Sequence, residues 1–225
     1  MRAMLLLFDV DGTLINSGAG RKAFNRAFEQ RFGIREATHE VDMAGRTDPA
    51  IYGDVCAKFG LDPATFDSWK AEFLFHLAAA LRDEPGCILP GVKALVEACH
   101  HDPEFTLALG TGNVEEGARL KLAPHGLNPF FPTGGYGTDG ATRADLIAAG
   151  IQKAERLVGR PFDRVAVIGD TPHDVACGKA NGCLTVAVAT GRHSLDDLAT
   201  ARPDILLPNF AEAEQTLAHF KRLLT

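Results

Sequence analysis

An unbroken apolar run, Ala3-Met4-Leu5-Leu6-Leu7-Phe8, leads straight into Asp9-Val10-Asp11-Gly12. A run with no polar alternation suits a strand covered on both faces, which is the condition of a parallel sheet. Comparable short runs recur at 105–109, 165–168 and 184–189. Each is followed by a turn rich in Gly, Asp and Thr and then by a helical pattern, at 92–99, 114–123, 144–158 and 171–180. This alternation of β and α predicts an α/β fold: a doubly wound, mostly parallel, Rossmann-like sheet with its site at the carboxyl ends of the strands.

Residues 16–84 break the alternation, since they carry helix signals and no convincing strand. Phe24, Phe28 and Phe32 recur at a spacing of four, which places them on one helix face. Asp48 before Pro49, and Asp62 before Pro63, each read as an N-cap followed by proline at the first helical position, and Gly60 between them can end a helix. The segment is expected to be an all-helical insertion. Its linkers are 16–20 and 85–90, where local Gly, Pro and Ser collect. The chain therefore divides into a core of 1–16 and 88–225 and a helical cap of 17–87.

Composition narrows the function classes. A formal net charge of −6 argues against a broad nucleic-acid-binding face, which needs clustered Lys and Arg. An anionic substrate must then be held by a local site. The five cysteines (Cys56, Cys87, Cys99, Cys177 and Cys183) show neither CxxC spacing nor a histidine at zinc-ligand distance, so reduced thiols are expected. The opening apolar run is too short for a signal segment, and no stretch of about 18 apolar residues follows. A cytoplasmic protein without membrane contact is expected; oligomeric state is not legible.

Acidic pairs follow two of the apolar runs: Asp9 and Asp11, then Asp170 and Asp174 in VAVIGDTPHDV. Carboxylates gathered at strand ends repel one another, and a hard dication with oxygen ligands such as Mg²⁺ relieves that repulsion. Asp9 and Asp11 are two residues apart, so in a continuing strand they share a side. One carboxylate can then attack phosphorus while the other protonates the leaving oxygen and later deprotonates water. Gly12 permits a tight turn beside them.

The chain resembles the haloacid dehalogenase superfamily of hydrolases, in the phosphoglycolate phosphatase-like and β-phosphoglucomutase-like group with a helical cap. The resemblance is carried by FDVDGTL at 8–14, LGTGN at 109–113, IGDTPHDV at 168–175 and LPGV at 89–92. It implies that Asp9 is the nucleophile and Asp11 the acid/base. It further implies that Mg²⁺ is held by the Asp9 side chain, the Asp11 carbonyl and the Asp170 side chain, with Asp174 ligating through water or orienting its neighbours. Thr111, with Gly112 and Asn113, is expected to donate to the phosphoryl oxygens. The family's usual lysine between the second and last of these motifs is missing; Arg143 in GATRADL stands at the matching distance and can clamp phosphate. Lys153, further along the same helix, is the weaker substitute.

An aspartate at position 11 favours phosphoryl transfer over dehalogenation, because a leaving halide needs no proton. It does not separate a phosphatase from a sugar phosphomutase, and a silent binding module is the remaining alternative. Arg46, in AGRTDP at 44–49, falls where the family's specificity loop lies and is expected to reach an anionic group of a small phosphorylated metabolite. Phosphoglycolate, nucleotides, sugar phosphates and pyrophosphate all stay open as substrates. His173 and the pair His100 and His101 are expected at the surface.

Overall fold

A computed structural model describes residues 3–224; Met1, Arg2 and Thr225, at the ends of the expected core segments, lie outside the described residues. The chain runs β1 (Met4–Phe8), β2 (Ile15–Asn16), α1 (Ala19–Phe32), α2 (Asp48–Phe59), α3 (Phe66–Asp83), β3 (Cys87–Ile88) and α4 (Val92–His101). It continues through β4 (Phe105–Gly110), α5 (Glu115–Leu122), β5 (Gly134–Gly135), α6 (Arg143–Val158), β6 (Arg164–Gly169) and α7 (Pro172–Ala180). The last elements are β7 (Leu184–Val188), α8 (Leu195–Thr200), β8 (Ile205–Leu207) and α9 (Ala213–Leu223).

Six strands form one parallel sheet in the order β5-β4-β1-β6-β7-β8. The chain starts at β1 and winds outward on both sides of it. β1 is therefore the switch point, where a crevice opens at the carboxyl ends of the strands. The unbroken apolar run has a simple cause. Met4, Leu6 and Phe8 pack on one face with Val92, Leu95 and Val96 of α4 and Phe220 of α9. Leu5 and Leu7 pack on the other with Leu146 and Ile147 of α6 and Cys177 of α7. Both pleat directions are buried, so neither tolerates a polar residue.

Between β2 and β3 the chain leaves the sheet for α1, α2 and α3, which share a separate apolar cluster. Trp69 is its hub, with ring centroids 4.8 Å from Phe24, 5.1 Å from Phe28, 4.7 Å from Tyr52 and 5.3 Å from Phe73. Phe24 and Phe28 are buried as their spacing predicts, and α2 ends at Gly60. The stretches read as plain linkers carry a short antiparallel pair, Ile15 opposite Ile88 and Asn16 opposite Cys87.

One cap assignment is corrected. The N-cap of α2 is Thr47, in extended conformation, whose hydroxyl accepts from the Ala50 N–H at 3.2 Å. Asp48 is already helical, and its carboxylate is turned outward to another element. Asp62 does cap, accepting from the Ala64 N–H, but it opens a single 3₁₀ turn rather than an α-helix.

Candidate active site

Asp9, Thr111 and Asp170 each stand one residue past the ends of β1, β4 and β6. The register sets Phe8 opposite both Leu109 and Ile168, which brings these neighbours to one level. β1 stops at Phe8, so Asp9 and Asp11 do not share a side by strand periodicity. They reach the same cavity through a turn in which Gly12 has φ of 83° and leaves no room for a Cβ, which would lie 2.4 Å from Asp170 Oδ2.

The cavity has a volume of about 450 Å³ and is bordered by Asp9, Asp11, Thr111, Gly112, Asn113, Arg143 and Asp170 from the sheet side. Arg46, Asp48, Phe24, Ile51 and Phe73 border it from the helical insertion. Asp174 stands behind this lining. Among the described residues, Asp9, Asp170 and Asp174 offer carboxylate oxygens that all lie within 4.8 Å of one another, and all three residues are buried. Burial is the main reason the Asp9 carboxyl is pushed well above the ordinary carboxylate range; Asp174 and Asp11 add to the rise and Arg143 opposes it. Asp170 is raised too, first by burial and then by Asp9 and Asp174. Such a set of buried oxygens, short of positive charge, fits a hard dication.

Arg143, at the start of α6 with its side chain 10% exposed, is the cation inside this group. It reaches Asp9 Oδ1 at 3.0 Å and also pairs with Asp174 Oδ1. The other Asp174 oxygen accepts from the Thr171 N–H at 3.0 Å and its hydroxyl at 2.7 Å, which closes a capping box at the start of α7. Both Asp174 oxygens are therefore engaged by protein donors. Lys153 is drawn elsewhere, pairing with Asp139 at 2.6 Å and lying over the Tyr136 ring.

Thr111 is wholly buried; its N–H donates to Gly135 O, and its hydroxyl receives the Asn113 side-chain amide at 2.8 Å. That amide also donates to Asp11 Oδ2 at 2.7 Å. Part of the donor set expected to reach the phosphoryl oxygens from 111–113 thus orients the loop itself, while the Thr111 hydroxyl keeps its proton to donate. Arg46, in the loop before α2, borders the cavity but is paired with Asp54 of that helix. His173 is exposed and lies against Gly45 of the insertion.

Two residues escaped the sequence reading. Lys121 of α5, 5% exposed, donates to Asp11 Oδ2 at 2.6 Å and to Asn113 Oδ1 at 2.7 Å. A signal existed for it, because the helix face formed by Gly117, Ala118, Lys121 and Leu122 is otherwise small or apolar. Asp48, also buried, accepts the Val114 N–H at 2.8 Å while its own N–H donates to Gly112 O at 2.8 Å. It thereby ties the start of α5 to the insertion. Burial raises its carboxyl to about 6, against the pull of Lys121 and of the Val114 N–H. Gly112 makes this approach possible: a Cβ there would stand 2.1 Å from Arg46 O.

With this geometry in place, comparison with known proteins is decisive at the level of family. Residues 3–182 match the family model of the haloacid dehalogenase-like hydrolases. The chain belongs to that family. A relative, the probable phosphatase IndB of Dickeya dadantii, is 26% identical over 92% of this chain and 90% of its own length. The pyrophosphatase PpaX of Listeria monocytogenes is 28% identical over 92% of this chain and 93% of its own. Among solved structures, a predicted phosphoglycolate phosphatase from Haemophilus somnus superposes with a TM-score of 0.71 at 20% identity, covering 96% of this chain and 99% of that one. This haloacid dehalogenase-like hydrolase thus shares its fold with that protein across both sheet and helical insertion. Hydrolases of the family generally use a divalent metal, and the buried acid trio is the group here that suits one. No helix among the described residues is long and apolar enough to cross a membrane.

Proposed function

We propose that this hydrolase is a Mg²⁺-dependent phosphatase that acts on small phosphate monoesters through an aspartyl-phosphate on Asp9. The observation that carries the reading is the convergence of Asp9, Asp170 and Asp174 around a buried guanidinium at the floor of one cavity. In this reading Mg²⁺ is held by the Asp9 and Asp170 carboxylates and the Asp11 main-chain carbonyl, with Asp174 orienting Arg143. When bound, the ion supplies the positive charge that lets an anionic nucleophile meet an anionic phosphate.

The chain's own groups do the rest. The Asp9 carboxylate attacks phosphorus as the ester oxygen departs, Asp11 gives that oxygen a proton, and Asp11 then takes one from the water that cleaves the acyl phosphate. Arg143, with the Thr111 hydroxyl and the Gly112 N–H, faces the phosphoryl oxygens, while Asn113 holds Asp11 and Thr111 in place. Residues 17–87 act as a cap over the core of 1–16 and 88–225, and Arg46 exchanges Asp54 for an anionic part of the substrate. Two relatives named as phosphatases support hydrolysis over transfer to a sugar. Placement in the cytoplasm belongs to the same reading, supported by five cysteines that form no disulfide.

The test is turnover of 4-nitrophenyl phosphate with Mg²⁺ by the wild-type protein and by Asp9→Asn. The variant is expected to lose essentially all activity; equal rates for the two would end the nucleophile assignment.

A further inference from the structure

Lys121 sits on α5 in a row of buried small and apolar residues. A charge withdrawn from water to 5% exposure is strongly destabilising unless its partners are well placed. Here they form a closed set. The ammonium donates to Asp11 Oδ2 and to Asn113 Oδ1, and the Asn113 amide donates to the same Asp11 oxygen and to the Thr111 hydroxyl. Asp11 Oδ2 thus receives two donors, one from α5 and one from the loop after β4. Its other oxygen takes no donor among the described residues, on a side chain that is 40% exposed and borders the cavity. The second acid near Lys121 is Asp48 of α2, which reaches it across the junction between insertion and sheet.

We propose that Lys121 is a positioning residue for Asp11: with Asn113 it fixes one oxygen of that carboxylate, so that the other is presented to the leaving oxygen of the substrate. The proposal rests on the reading of Asp11 as acid/base. Proton transfer needs heavy atoms within about 2.6–3.2 Å of each other. A carboxylate at a turn just past a strand end swings about its own side-chain bonds unless a neighbour holds it, and a reactive group is only as well aimed as the contacts behind it. A lysine suits the task because its ammonium is a compact charge that donates in two directions at once, to the carboxylate and to the amide oxygen.

The test uses two esters that differ in their need for a proton. Nitrophenolate leaves 4-nitrophenyl phosphate unprotonated, whereas the alkoxide of glycerol phosphate requires a proton from Asp11. Lys121→Met is expected to lower kcat/KM, which reports the step that expels the leaving group, on glycerol phosphate by roughly 10–100-fold, the usual scale for loss of a supporting contact. The loss of kcat/KM on 4-nitrophenyl phosphate should be several-fold smaller, because its leaving group needs no proton. In an Asp11→Asn background the same substitution should have no further effect on glycerol phosphate, because two residues acting as one unit are not additive. Lys121→Arg should recover part of the lost rate.

Equal losses of kcat/KM on the two esters, or an undiminished loss in the Asp11→Asn background, would overturn the proposal and make Lys121 a structural or substrate-contacting residue. If Lys121→Met does not fold, Lys121→Gln carries the same comparison, since its amide keeps a donor without the charge. Should Asp11→Asn itself turn over both esters at the wild-type rate, the acid/base reading falls together with the proposal. An impaired Asp11→Asn beside an unselective Lys121→Met sinks the proposal alone.

Discussion

Arg143 and Asp48 are buried charges that do different work. Arg143 lies between Asp9 and Asp174, and its Nε is buried without an acceptor. Its side chain is therefore committed by its terminal nitrogens alone. Removing the cation leaves carboxylates uncompensated in a dry place, so Arg143→Met is expected to lose about 3–5 kcal/mol of stability in urea unfolding, and Arg143→Lys clearly less. A Met variant as stable as the wild type would show the pair to be energetically idle. For Asp48 the sign is opposite. Burial lifts its carboxyl from 3.8 to about 6, so the folded state keeps a proton that the unfolded chain gives up earlier. Stability drawn from this group is then full below the lower value and falls as pH rises towards the upper one. Asp48→Asn keeps an oxygen for the Val114 N–H and removes the charge. It should raise the unfolding free energy near pH 7.5 by roughly 1–3 kcal/mol and leave it unchanged near pH 4. A uniform shift at both pH values would contradict the cause.

At the scale of elements, the contact between the first turn of α2 and the loop after β4 joins insertion to sheet. It consists of the Asp48 N–H on Gly112 O, the Val114 N–H on Asp48 and the passage of Arg46 O beside Gly112. Gly112→Ala pushes a methyl into that passage. Hydrogen exchange at the Asp48 and Val114 amides is expected to accelerate by at least an order of magnitude while the amides of β1 stay protected; unchanged exchange at both would mean that the neighbouring backbone gives way. These elements also show what a single sequence discloses. β1, β4, β6 and β7 were legible because both of their faces are buried, and α1, α4, α5, α6 and α7 from their helical patterns, whereas α8 and α9 were not read. β5 escaped: it is two glycines, and nothing in Gly134-Gly135 spells a strand until Leu109 and Gly110 of β4 pair with it. The acids were legible because they end apolar runs, whereas Lys121 and the partner of Asp48 were not. Those two depend on helices of distant sequence meeting over the cavity, which one-dimensional spacing does not encode.

For the whole molecule, the buried acids tie stability to pH and to metal. The carboxyls of Asp9 and Asp170 are raised chiefly by burial, so without a cation the folded protein loses stability as pH rises from the ordinary carboxylate range into the raised one. A cation takes deprotonated oxygens and releases those protons, so its binding strengthens over the same interval. Mg²⁺ is expected to raise the melting temperature more near pH 8 than near pH 5.5, and a chelator should erase the difference. Equal shifts at the two pH values would place the ion elsewhere.

The pairing of Ile15 with Ile88 has a consequence of its own. Because the excursion departs and returns through adjacent strands, the chain enters and leaves it through one narrow doorway, and the distance between its two ends is independent of what lies beyond. The entropy of closing that loop grows only slowly with its length. A longer or shorter helical unit is therefore expected to be accommodated between 16 and 87 without re-threading a strand of the sheet, provided that it restores the contact Asp48 makes with the start of α5.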